Sequence, residues 1–409
     1  MKPIRAAYQI DRPTPGTNIK NLRELLFVGW PVNLQSSSIS RKGITMNPST
    51  NWAEIIDEGE AEKLEKYAEA IHAIQKKNAA KESADTPSLF KDWMNTRLAP
   101  RPDSPAEGRA LHHKGLLGVK AEFTVLDTLP DYAKVGIFAQ PKTYQAYVRF
   151  SNGGATSGDD RKADQRAVAV KVLQVPGKKI IPGLENATTQ DFLMIRDPAL
   201  PFKNADEFLP FITLIAEPLG LMRILFKVGL FRTLAIIKRV KNAPKIPMVS
   251  LATIEYFSAA PIQFGVYAAH YSLKPRSVDG PGAQPGQTPN YLGEELAGRL
   301  KNGTVIYDFG FQFFINENKT PIEDASVEWK EGVATFIALA RLTLTRQDTD
   351  SAPGLKLYEF IEKLSFDPWH APEEFRPLGN MMRARRVAYK ASVKERQALP
   401  EPDGTEKFE

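Results

Sequence analysis

The sequence predicts an α+β fold in which an antiparallel β-barrel carries helices on its outside. Six runs rich in β-branched and aromatic residues, at 119–125, 144–150, 167–173, 262–273, 304–314 and 335–345, are separated by turn-forming segments. The helical stretches at 205–240, 355–363 and 380–397 do not alternate with these runs as the helices of a parallel sheet would. The 31 prolines cluster at 1–16, 99–105, 275–289 and 395–402, which marks loops and terminal arms. Long antiparallel strands without covering crossovers protect their edges most completely by closing on themselves.

Taken in order, residues 1–50 are irregular and polar apart from a short helical stretch at 21–27. They read as an arm suited to wrapping on a partner subunit, so a homo-oligomer, a dimer, is expected. Residues 51–81 have helical periodicity, with Asn51 or Ser49 as the cap. Residues 119–125 read Val-Lys-Ala-Glu-Phe-Thr-Val, the alternation of a half-buried strand, and 144–150 and 167–173 follow suit. Residues 380–394 contain neither Gly nor Pro and read as helix.

Composition narrows the function. The chain has 409 residues, 42% apolar and 25% charged, as a soluble globular protein does. Its net charge of +6 comes from scattered cations, without the dense basic block or aromatic–basic interleaving of a nucleic-acid binder. It has no cysteine, which excludes disulfides, thiolate metal sites, iron–sulfur clusters and cysteine-held haem. The apolar patch at 25–34 is short, broken by proline and lacks a cleavage signal, so a cytoplasmic location is expected.

Two segments carry chemistry. In the C-terminal helix Arg385 precedes Tyr389 by one turn, which places a guanidinium beside a phenol oxygen. A cation there favours the phenolate, a hard anionic ligand that can bind haem iron. Far upstream stands Arg109-Ala-Leu-His112-His113-Lys114-Gly115. Adjacent histidines on a strand face opposite sides, so one of this pair faces inward. The other histidines, His72, His270 and His370, read as solvated or structural.

Three further blocks follow in order: Arg149-Phe-Ser151, Asp164-Gln-Arg166-Ala-Val-Ala-Val-Lys171 and Phe192-Leu-Met-Ile-Arg-Asp-Pro198. Together with the two segments above, this series resembles the catalase family of haem proteins, and within it the smaller catalase-related enzymes. The stretches 321–329 and 367–379 look like that subgroup. The resemblance covers about residues 85–395. It divides the chain into an N-terminal arm and helix (1–84), a haem-binding domain (85–395) and a tail (396–409), and it implies a barrel that encloses haem b.

The resemblance also implies roles. Tyr389 would be the axial ligand and Arg385 its tuner. His112 would be the distal acid and base, with Ser151 in contact with it. Arg109 and Arg149 would hold the haem propionates, while Arg166 and Lys171 support the fold. One departure stands out. Thr189 occupies the place of the family's distal asparagine, with Gln190 beside it as an alternative amide. Ala167 replaces a family glycine.

The segment 221–237 is apolar except for Arg223, Lys227, Arg232 and Thr233, with single glycine and alanine positions. It is too short and too charged to span a bilayer. It reads as a core helix or as a lipid-facing one, a peripheral membrane contact whose cations meet headgroups or a fatty carboxylate. The expected function is haem-dependent turnover of peroxides, with organic or fatty acid hydroperoxides favoured. Hydrogen peroxide dismutation and non-catalytic haem binding, as carrier or sensor, are the alternatives.

Overall fold

The computed structural model describes residues 109 and 111–408, apart from 155–156, 215–218, 242–247, 278–285 and 287. The arm and helix expected at 1–84, His72 included, lie outside the described residues.

Nine strands form one antiparallel sheet: β1 (Gly115–Val125), β2 (Thr143–Asn152), β3 (Arg166–Leu173), β4 (Thr189–Ile195), β5 (Tyr256–Ser258), β6 (Ile262–Phe264), β7 (Tyr267–Ser277), β8 (Val305–Phe313) and β9 (Ile337–Leu344). Their order is β5-β4-β3-β2-β1-β9-β8-β7-β6, and β5 also pairs with β7. That last pairing closes eight strands into a barrel and leaves β6 as a flap on β7. The single strand expected at 262–273 is therefore two. Phe264 pairs with Tyr267 across a two-residue turn in which Gly265 takes φ +61°, a left-handed value that suits glycine. The alternation rule missed β4, because it is buried on both faces and carries no polar–apolar pattern.

Among the described residues six α-helices lie outside the barrel: α1 (Ala205–Leu214), α2 (Gly220–Val228), α3 (Leu230–Lys241), α4 (Tyr291–Asn302), α5 (Ala352–Lys363) and α6 (Asn380–Glu395). The helix expected over 205–240 is thus three pieces, and α2 ends where Gly229 adopts φ +90°. Ser151 and Arg149 on β2 face the same side as Tyr147, and α5 lies against that side. Its approach requires Gly115 on β1, where a Cβ would collide with the Glu362 carboxyl and the Tyr358 hydroxyl.

The barrel interior is solid. Phe123, Phe138, Phe192, Phe264, Phe309 and Phe311 meet there edge-on, tilted or stacked, with centroids 4.9 Å apart for Phe192–Phe309 and 4.6 Å for Phe264–Phe311. A packed interior of this kind has no room for haem, so any haem site lies on the barrel's outer wall instead of inside it. The described part of the tail, 396–408, packs on that outer wall. Glu401 accepts from the Lys171 Nζ at 2.5 Å and from the Thr189 hydroxyl at 2.8 Å, and Asp191 completes the pairing of Lys171 at 2.8 Å. Lys171 is fully buried and stays charged because two carboxylates meet it.

Phe309 touches five aromatic neighbours, so its truncation should open a cavity that the rigid strands cannot close. Phe309→Ala is expected to cost about 3–5 kcal/mol in denaturant unfolding. A loss under about 1 kcal/mol would mean that the interior is not close-packed.

Candidate active site

A cavity of about 230 Å³ lies between the outer face of β2–β4 and the helices α1 and α6. The strand register sets its wall. Ser151, Ala167 and Ile195 share one rung, and Arg149, Ala169 and Leu193 share the next. All six line the cavity. Ala167 and Ala169 on the barrel side and Ala388 on α6 are small, which holds the walls apart and leaves a slot.

His112 lines the cavity and His113 does not. The structural reason differs from the expected one, because neither residue is in a strand. His112 sits in a bend before β1 with φ +55°. Its N–H donates to the Gly153 carbonyl at 3.1 Å, and its own carbonyl accepts from Arg149 Nη2 at 3.1 Å. This pair of bonds holds an unfavourable backbone conformation in place. The imidazole Nδ1 lies 3.3 Å from the Ser151 hydroxyl. His113 turns back instead, with Nδ1 3.0 Å from the Arg109 carbonyl.

Burial holds His112 neutral, with its pKa lowered to about 3, and the guanidiniums of Arg149, Arg385 and Arg109 add to the effect. The imidazole keeps some surface open to the cavity, whose lining includes Arg109, Arg149 and Arg385. A neutral imidazole with a hydroxyl on one nitrogen can take a proton and return it.

On the opposite wall, Arg385 Nη2 donates to the Tyr389 hydroxyl at 2.9 Å, and the guanidinium also lies 5.1 Å from the ring centre. Both line the cavity from α6. The phenol oxygen is thus held by a cation on the side of the cavity opposite His112.

The third feature is a cluster of arginines. Arg149 grips Glu362 with two bonds of 2.7 and 3.0 Å, and Arg109 reaches the same carboxylate at 3.4 Å. Arg109 and Arg396 both donate to the Leu364 carbonyl, at 2.9 and 2.8 Å. Among the described residues, the ion pairs of this cluster all end on Glu362. Three guanidiniums therefore face one carboxylate. The pKa of Arg109 is lowered by burial and by Arg149 and Arg396, and that of Arg396 falls to about 10 for the same first reason.

The sequence reading missed Arg396. It lies seven residues after Tyr389, so 385, 389, 392 and 396 follow the spacing of one helix face, and that period was the available signal. Thr189 and Gln190 are not brought to the cavity. Thr189 faces the outer wall two rungs away, bonded to His370 Nε2 at 2.6 Å and to Glu401. Gln190 alternates with it and falls on the side of Phe192, the barrel interior, fully buried. At the cavity, the barrel wall between the arginines is Ala169 and Leu193, without an amide. Leu225 and Phe231 of the segment 221–237 do not line the cavity either. Arg166 bonds the Asn152 side chain at 2.7 Å and two loop carbonyls, and so ties a loop to the barrel.

Comparison with known proteins follows the same line. No protein-family model matches the chain. A catalase-related peroxidase of Mycolicibacterium paratuberculosis is 27% identical over 308 residues, covering 71% of this chain and 90% of that protein. Among solved structures, a bacterial catalase superposes with TM-score 0.52 at 18% identity over 76% of this chain. A fungal catalase gives TM-score 0.55 at 15% identity over 75%, and catalase A from Saccharomyces cerevisiae gives 0.55 at 16% over 76%. The chain spans 60%, 62% and 64% of those three catalases, so their likeness is one of fold.

The buried, neutral state of His112 has a pH signature. Its folded pKa is depressed, so its contribution to stability is present above about pH 6.5 and is lost as pH falls toward the folded value. Wild type should lose stability relative to His112→Gln as pH falls from about 6.5 to 4, at up to about 1.4 kcal/mol per pH unit. Urea melts at three pH values measure it. A constant difference between the two proteins would mean that His112 titrates as a solvated histidine.

Proposed function

We propose that the chain is a member of the catalase family and, on that premise, a haem-dependent enzyme acting on hydroperoxides, with organic hydroperoxides preferred over hydrogen peroxide. The observation that carries the reading is one cavity with an acid–base pair, His112 and Ser151, on the barrel wall and a phenol with its cation, Tyr389 and Arg385, on α6.

The residues present fit haem b. The Tyr389 oxygen lines the slot and would be the metal's ligand, and the small alanines leave room beside it. The arginine cluster carries two positive charges beyond Glu362, which matches two propionate carboxylates, and Arg is suited to hold planar carboxylates in bidentate fashion. Arg109, Arg149 and Arg396 would hold the propionates. Haem, when bound, would supply the electrons that break the peroxide O–O bond.

The chain's own work is positioning and proton transfer. His112, neutral over the physiological range, accepts the hydroperoxide proton and returns it to the oxygen that departs as alcohol or water. Ser151 fixes the ring by bonding Nδ1, which leaves the other nitrogen for the substrate. Arg385, through its hydrogen bond to the Tyr389 oxygen, would hold that oxygen in place as a ligand and tune its donation to the metal. Leu193, Leu200, Phe202, Phe208 and Met381 line the rest of the cavity, a setting for an apolar R group. Thr189 and Gln190 lie elsewhere, so no side-chain amide of theirs orients a second peroxide, and this favours hydroperoxide turnover over dismutation. A carrier or sensor needs no neutral imidazole facing its ligand.

Two outcomes test the reading. Tyr389→Phe should lose haem or shift the ferric absorption spectrum strongly, and an unchanged spectrum at full haem content would remove the axial role. His112→Ala should lower turnover of a hydroperoxide about 10²–10⁴-fold with haem retained, while His113→Ala should change it little. Equal losses would contradict the placement of the pair. For substrate choice, kcat/KM should be higher for a long-chain hydroperoxide than for hydrogen peroxide. Rapid oxygen release from hydrogen peroxide with no lipid hydroperoxide turnover would return the protein to dismutation.

A further inference from the structure

Seven of the nine exposed large apolar side chains among the described residues fall in one short stretch, from Leu219 to Leu234. They belong to α2, α3 and the residue before α2. The most exposed, Phe226 at 86% and Phe231 at 88%, stand on either side of the Gly229 break. These helices are already anchored by another face. Ile224 and Ile236 are fully buried in the main core, and Thr233 is buried with them. The outward apolar side chains are therefore in excess of what the fold uses, and a contiguous exposed patch of this kind marks a contact surface.

The charges around the patch are of one sign. Between Leu219 and Lys241 there is no Asp or Glu, and Arg223, Lys227, Arg232, Lys238 and Arg239 lie within the stretch. Arg232 is neutralised by Glu207 of α1, through two bonds of 2.7 and 2.8 Å, and Arg239 meets only a backbone carbonyl, that of Ser326, at 2.8 Å. From the neighbouring elements, Glu207 and Asp324 face Arg232. The rim of the patch is thus cationic.

We propose that α2 and α3 form a docking face for an anionic lipid bilayer, with Phe226, Leu230 and Phe231 entering the interface and Lys227 and Lys238 meeting headgroups. The charge pattern selects this occupant. A symmetric contact with a second copy would press two cationic rims together. A bilayer with anionic lipids offers apolar depth and opposite charge at once. Each helix is too short to cross a bilayer, so the contact is peripheral. The face lies one helix from the cavity, since α1 packs on α2 and carries Phe208 into the cavity lining.

The test uses full-length protein and vesicles of phosphatidylcholine with phosphatidylglycerol. Wild type should sediment with these vesicles, bind pure phosphatidylcholine more weakly, and release as salt rises. The double variant Phe226→Asp/Phe231→Asp should lower vesicle binding at least about tenfold, with haem content and small-hydroperoxide turnover unchanged, since both residues are exposed and outside the cavity. Because the chain has no cysteine, Leu230→Cys gives a single site for a polarity-sensitive dye, whose emission should shift to the blue only on vesicle addition. No sedimentation of wild type overturns the proposal. So does blue emission before vesicles are added, which would mean that another part of the chain covers the face. Dimerisation abolished by Phe231→Asp, with vesicle binding unaffected, would assign the face to a second copy.

Discussion

The bidentate pair of Arg149 and Glu362 is the contact on which the site's geometry rests. It joins the barrel wall at β2 to α5, and the same guanidinium holds the His112 carbonyl. Arg149 is almost wholly buried, so its charge is tolerable only while it is paired and hydrogen-bonded. Glycine at position 115 is part of the same arrangement, since any side chain there would strike the Glu362 carboxyl. The left-handed backbone at His112, the seat of α5 and the orientation of the arginine cluster are therefore one linked constraint. Removing Glu362 would leave three guanidiniums close together with no carboxylate between them.

The cavity is assembled from parts far apart in the chain. Its barrel wall comes from Arg109, Leu111, His112 and β2–β4, and its facing wall comes from α1 and from α6, which lies near the far end of the chain. Each wall brings a chemically complete pair. Ser151 attends His112, and Arg385 attends Tyr389. What the fold adds is their opposition across a slot floored by alanines. The excess positive charge at one end gives that slot a direction, because a ligand with two carboxylates at one edge can enter in only one sense.

Much of this was legible from local pattern. Half-buried strands such as 119–125 announce themselves by alternation, and the Arg385–Tyr389 bond follows directly from helical spacing. Elements without a one-sided pattern were harder to read. β4 has no exposed face, and β6 and β7 looked like one run because a two-residue turn at Gly265 barely interrupts the hydrophobic sequence. The single helix read at 205–240 hid a break, since one glycine inside an apolar stretch does not reveal its φ. His112 was placed on the cavity side for a reason that does not hold: a bend, not strand alternation, separates it from His113. The positions of Thr189 and Gln190 depended on the register of β4, and counting residues along a motif cannot supply which face of a strand a residue takes.

The solid aromatic filling of the barrel divides the molecule mechanically. Interlocked rings resist compression, so the wall bearing His112, Arg149 and Ser151 behaves as a stiff plate. The facing wall is of another kind: α6 and α1 touch each other through a small alanine-centred cluster, with Phe208, Leu209 and Val387 at its margin, and through the Ala205 N–H donating to the Asn380 side-chain oxygen. Whatever enters or leaves the slot, a flat cofactor or a bulky substrate, has to be admitted by yielding on that helical side. The two walls thus divide the labour between fidelity and access, and variation in what the pocket accepts has its softest target in the helices, with the barrel left as an unchanging reference surface.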